Sequence, residues 1–190
     1  MAVGYIQRVR LLAALQKIST KEFNQALVKW VWGSSGGGNS SPLTSLYKSK
    51  PELFPKPTAG TKPLYRVVAI WEEVFDDLMA GKPLKNKEIF ESWTSSKQAA
   101  EAHKKYLMER DNWLVATFYK KPKKILLYVP DYVKDIDYKE FPIEFNFSAE
   151  QEYIVFSEPL TLKDLWLVVD EDKQCWYKKS VQKITSPQRD

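Results

Sequence analysis

From Val3 to Trp32 apolar residues recur at helical spacing. Ile6, Val9, Leu12, Ala13 and Leu15 mark one amphipathic helix, and Phe23, Leu27, Trp30 and Val31 mark a second, because residues three and four apart share a helix face. The pattern breaks at Ser19-Thr20, where Thr20 is placed to cap the second helix. An N-terminal helical hairpin over residues 1–32 is predicted.

The periodicity then lapses. Gly33-Ser34-Ser35-Gly36-Gly37-Gly38-Asn39-Ser40-Ser41-Pro42 combines backbone freedom with almost no apolar surface, which predicts a flexible loop. Pro51, Pro55, Pro57 and Pro63 continue it as an irregular, partly extended connection, so residues 33–62 form one flexible Gly/Ser/Pro-rich link. Four of the seven glycines lie here, yet no Lys-Ser/Thr pair follows Gly38. That excludes a phosphate-cradling loop of the nucleotide-hydrolase type.

Beyond residue 63 the apolar runs shorten. They predict strands at Leu64 to Trp71, Ile89 to Trp93, Trp113 to Tyr119, Ile125 to Val129, Tyr153 to Phe156, Leu165 to Val169 and Trp176 to Ile184. Two helices interrupt them. Glu72 to Met79 ends at Gly81, and Lys97 to Arg110 follows Ser95, whose spacing to Gln98 suggests a capping box worth roughly 1 kcal/mol. Strand follows strand in the second half, which predicts an α+β domain with an antiparallel or mixed sheet and excludes a doubly wound parallel one.

Composition narrows the chemistry. The 190 residues suffice for one domain with a core and one active site. Cys175 is the only cysteine and His103 the only histidine, so an intramolecular disulfide is impossible and a metal centre is not expected. Cys175, beside Trp176 and Tyr177, reads as a packing thiol, and His103 as a structural residue of its helix face. No run approaches the roughly eighteen apolar residues of a membrane span, and the first thirty residues lack a secretory pattern; a cytoplasmic protein with no membrane partner is expected. The net charge of +5 favours anionic partners. Lys120, Lys121, Lys123 and Lys124 form the densest basic cluster, which reads first as a solvated hairpin connection.

Three segments carry candidate chemistry. Leu64-Tyr65-Arg66 places a guanidinium inside an apolar run; burying it is costly unless an anion meets it, and the structural reading is an arginine on the exposed face of an edge strand or paired with Glu72 or Glu73. Ser92-Trp93-Thr94-Ser95-Ser96 gathers hydroxyls where a strand hands over to a helix, a place that suits capping or a ligand's polar groups. Glu150-Gln151-Glu152 precedes Tyr153-Ile154-Val155-Phe156. On extended backbone the two carboxylates lie on the same side and repel unless positive charge lies between them.

Taken in order, an arginine on a first core strand, a Ser-aromatic-Thr-Ser segment on a second, and Glu-x-Glu leading into a later strand resemble the arginine–serine–glutamate class of mono-ADP-ribosyltransferases. Within that class the segments are similar to those of the small ADP-ribosyltransferases that T-even bacteriophages make. The resemblance covers residues 63 to 169; Val67 stands where a second glycine commonly follows the arginine, and the histidine-first pattern of diphtheria-toxin-like enzymes is missing. It implies a core of two small packed sheets with flanking helices, so that residues 63–190 form the catalytic domain of a monomer acting in a cytoplasm, the host's if a phage encodes it. NAD is then the substrate, bound by Arg66, Ser92, Trp93, Thr94 and Ser95, with Trp93, Tyr153 or Phe118 available to stack on a ring. Arg66 would grip the phosphates, Ser92 would orient the catalytic glutamate, Glu152 would stabilise the charge that develops on the ribose, and Glu150 would serve the acceptor, a protein arginine. The competing readings are a basic nucleic-acid-binding module without catalysis, a transferase acting on RNA, DNA or a nucleic-acid-associated protein, and an inactive relative that keeps the fold.

Overall fold

The computed structural model describes residues 21–27, 29–30, 41–109, 114–133 and 151–169, together with the backbone of 175–178. The chain divides into two compact units, Met1–Lys56 and Pro57–Asp190.

In the first unit, residues 21–27 and 29–30 are helical (α1), and Phe23, Leu27 and Trp30 are buried as their spacing predicts. The first helix of the expected hairpin, Thr20 and Val31 lie outside the described residues. Within the stretch expected to be a flexible link, Pro42–Ser49 form a helix (α2), followed by a 3-10 turn at Pro51–Leu53. The physical reason is local: Ser41 accepts the Thr44 amide at 3.1 Å, and Pro42 occupies a first-turn position, where its missing amide and fixed φ favour a helix. Leu43 is fully buried, and Phe54 meets Phe23 and Tyr47 edge-on at 4.9 and 5.0 Å. The glycine-rich residues 33–40 lie outside the described set.

The second unit holds β1 (Leu64–Ile70), α3 (Glu72–Met79), β2 (Phe90–Thr94), α4 (Lys97–Met108), β3 (Leu114–Lys120), β4 (Ile125–Tyr128), α5 (Val129–Val133), β5 (Glu152–Phe156), β6 (Leu165–Val169) and β7 (Cys175–Lys178). Every pairing is antiparallel, in the order β4-β5-β2-β1-β3-β6-β7. The class is α+β as the patterning predicts. One seven-stranded sheet, however, replaces the two separate sheets expected, because β1 is bonded on both sides. It pairs with β3 along its whole length but with β2 only at Tyr65↔Thr94. The sheet is thus two halves, β4-β5-β2 and β1-β3-β6-β7, joined at one residue pair.

β1 alternates between two faces, as extended backbone requires. Leu64 and Ile70 lie in a buried cluster with Trp93, Ala116, Phe118, Val155, Leu165 and Val168, closed by Phe75 and Leu78 of α3. Leu84 and Leu160 belong to the same cluster and exchange backbone bonds of 2.8 and 2.9 Å, which fasten the segment after α3 against the end of β5. β3 and β4 are not paired with each other, so the basic segment between them is a crossover and not the expected hairpin. β4 is drawn away by its ladder to β5 and by the bridge Thr58↔Ile125.

The predicted helix cap shifts by one residue. Ser96, not Ser95, caps α4, accepting the Ala99 amide at 3.1 Å. Ser96→Ala is expected to lower stability by about 1 kcal/mol, measurable as an earlier urea midpoint, whereas Ser95→Ala leaves the cap in place. Among the described residues no helix is long and apolar enough to cross a membrane.

Candidate functional site

Arg66 sits on a central strand and not at an edge, and its side chain is largely buried, so protein groups take over part of its hydration. One comes from the neighbouring strand's main chain: Arg66 Nη1 donates to the Ser92 carbonyl at 3.0 Å. Because the β1–β2 ladder stops at Tyr65↔Thr94, the arginine side chain takes over where backbone pairing ends. The counter-charge comes from Glu91, whose Oε2 lies 3.8 Å from Arg66 Nε; the two side chains are 2% and 16% exposed, respectively. Glu72 and Glu73, the partners weighed from the sequence, are exposed residues in the first turn of α3. Burial pushes the Arg66 pKa down while the Glu91 carboxylate pulls it back up, and a guanidinium keeps its proton at neutral pH in either case.

Glu91 is the site residue that sequence reasoning missed. Its signal was present in the alternation of β2: a carboxylate one residue after buried Phe90 and two before Trp93 faces the core side of the strand. In the fold it accepts the Trp93 indole N–H at 3.1 Å. Trp93 is therefore a buried core residue that orients Glu91, and Phe118 is fully buried; neither ring is open to stack on a ligand as the resemblance implies. Tyr153 is half-buried against Tyr128, with centroids 4.5 Å apart.

The hydroxyl segment divides its labour. Thr94 Oγ1 accepts the Ser96 amide at 2.9 Å, Ser96 caps α4, and Ser95 Oγ donates to Gln151 Oε1 at 2.8 Å. The Ser92 hydroxyl is left as the uncommitted oxygen of this segment among the described residues. Direct partners in the register share a face, so Tyr65, Thr94 and Glu152 form a row, with Ser92 two positions along β2 on the same side. Glu152, the first residue of β5, is 8% exposed.

The side-by-side carboxylates expected from Glu150-Gln151-Glu152 require extended backbone, and Gln151 does not supply it. Its φ of 45° is left-handed, a conformation that strains a residue with a side chain, and it is tied to Ser95 through both side chain and main chain. Glu150 lies outside the described residues.

Hydroxyl 92 and carboxylate 152 thus share a face, while the Arg66 side chain points to the other and touches this group only through its bond to the Ser92 carbonyl. An open cavity of about 200 Å³ lies on the Arg66 side, walled by Val68, Ile70, Leu84 and Leu160 with Arg66, Glu91, Lys85 and Asn86 as its polar groups; neither Ser92 nor Glu152 reaches it. The three groups that the resemblance assigns to one NAD site therefore do not line one cavity.

His103, on α4, keeps contact with solvent, yet partial desolvation lowers its pKa from the ordinary 6.5, and the Arg66 charge adds to the effect. The unfolded chain therefore takes up the proton more readily, and stability falls as the pH drops below about 6.5 and through the folded pKa. Thermal unfolding of His103→Gln should show less of this fall between about pH 7 and 5. The basic cluster is partly neutralised: Lys120 lies 3.3 Å from Glu158 and 3.9 Å from Asp164. No protein-family model matches the chain, and no curated protein matches it.

Proposed function

We propose that the chain is an NAD-dependent mono-ADP-ribosyltransferase of the arginine–serine–glutamate class that modifies a protein arginine, as an effector a phage or bacterium directs at host proteins. The observation that supports this reading is that the arginine, serine and glutamate segments lie on the adjacent strands β1, β2 and β5, with Ser92 and Glu152 on one face and Arg66 bonded to the Ser92 carbonyl from the other. These three residues are the ones the motifs of that class name.

In the reaction, the bond between nicotinamide N1 and ribose C1′ breaks, and nicotinamide leaves as a neutral ring with the bonding pair. Positive charge grows on the ribose, and a carboxylate bonded to its 2-hydroxyl strengthens as it does so. Glu152 has that role, with Thr94 opposite it and Ser92 two positions along the neighbouring strand on the same face. An acceptor guanidinium nitrogen then bonds to C1′ and loses a proton, which Glu150 receives. Arg66, at the edge of an open cavity with Lys85 nearby, is suited to phosphate oxygens.

The test is incubation with labelled NAD and a bacterial lysate, followed by mass spectrometry of the labelled residue. Label on arginine supports both reaction and acceptor; label on nucleic acid keeps the reaction and replaces the acceptor. Absence of nicotinamide release, together with steeply salt-dependent nucleic-acid binding, rejects the transferase in favour of a basic binding module.

A further inference from the structure

A guanidinium withdrawn from water needs a counter-charge to replace its hydration. Arg66 finds one in Glu91, but the contact is incomplete. The 3.8 Å between Arg66 Nε and Glu91 Oε2 exceeds a hydrogen bond, and Arg66 Nε is buried with no hydrogen-bond partner. Glu91 Oε2 is already engaged by the Trp93 indole at 3.1 Å, which holds the carboxylate in place. Arg66 and Glu91 nevertheless line the same open cavity.

We infer that Glu91 is a built-in counter-anion that competes with anionic ligands for Arg66, and so sets the affinity of the cavity for phosphate-bearing molecules. This rests on Arg66 being the phosphate contact in the transferase reading. An arriving phosphate must share the guanidinium with a carboxylate that already faces it, and the two anions repel. Removing the Glu91 charge therefore has opposite consequences in the two states. The free protein loses the counter-ion of a buried cation and becomes less stable, whereas the ligand meets an unopposed cation and binds more tightly. A residue that only packs would lower stability and affinity together.

Glu91→Gln is nearly isosteric and keeps an oxygen for Trp93. Calorimetric titration of the full chain with inorganic pyrophosphate is expected to show about tenfold tighter binding to E91Q than to the parent, the ratio that about 1.4 kcal/mol of relieved competition produces. The ligand-free variant should also unfold at a lower temperature. Unchanged or weaker binding by E91Q overturns the inference, as does failure of both proteins to bind pyrophosphate. Should E91Q not fold, the parent still decides the matter by NMR. The Trp93 indole resonance, identified by its loss in Trp93→Phe, should move as pyrophosphate draws Arg66 from Glu91, and a resonance unmoved at saturation overturns the inference. ADP-ribose titrated in parallel separates the two proposals: tighter pyrophosphate binding by E91Q, with no ADP-ribose binding by either protein, keeps the counter-anion and removes the transferase.

Discussion

Glu152→Gln is expected to slow nicotinamide release from NAD by about 10² to 10³-fold, the loss that follows when one group stabilising transition-state charge is neutralised. The substitution keeps the size and hydrogen-bonding reach of the side chain, so its effect isolates the negative charge. Glu152 opens β5 opposite Thr94, and its backbone is fixed by the β2 ladder, so the fold should be retained. Equal near-ultraviolet circular dichroism in parent and variant would verify that. A rate within about threefold of the parent, in a variant so verified, removes Glu152 from the reaction.

Arg66→Met is expected to destabilise the protein by about 3–5 kcal/mol, because it strands the Glu91 carboxylate in the core without its cation. Both side chains are buried enough for the pair to escape most solvent screening. The arginine also supplies the bond to the Ser92 carbonyl at the point where the β1–β2 ladder has ended, so its loss loosens the joint between the half-sheets. The double variant Arg66→Met/Glu91→Gln should recover part of the loss, since no unpaired charge remains. Urea denaturation of the two single variants and the double variant closes the cycle, and simple additivity would show that the two residues do not act as a pair.

Much of the architecture was legible because it is local. Glu72–Met79 and Leu165–Val169 lie where periodicity placed them, and β1 and β4 each end one residue early for local reasons: Trp71 serves as the N-cap of α3, and Val129 begins α5. The helix at Pro42 was overlooked although Ser41-Pro42 is a start signal, because the glycine-rich run before it dominated the reading of the segment. The cap of α4 was misassigned by one residue because Ser95 and Ser96 are chemically equivalent as caps. The choice between them is made by Gln151, which draws Ser95 away, and by Thr94, which holds the Ser96 amide.

That a buried guanidinium needs an anion follows from its chemistry, but neither the burial of Arg66 nor the anion's identity follows from its neighbours in the chain. Glu72 and Glu73 are near in the chain, whereas Glu91 is near in space because β2 folds back beside β1. Likewise, the order of the arginine, serine and glutamate segments is a property of the chain, while the face each side chain takes depends on strand register, where a shift of one residue reverses every direction. Residue type and spacing therefore settled the α+β class and the approximate strand positions, since these arise from interactions within a few residues. Which carboxylate meets Arg66, which serine caps, and how Arg66, Ser92 and Glu152 divide between two faces of one sheet were decided by pairings across dozens of residues, which no local pattern encodes.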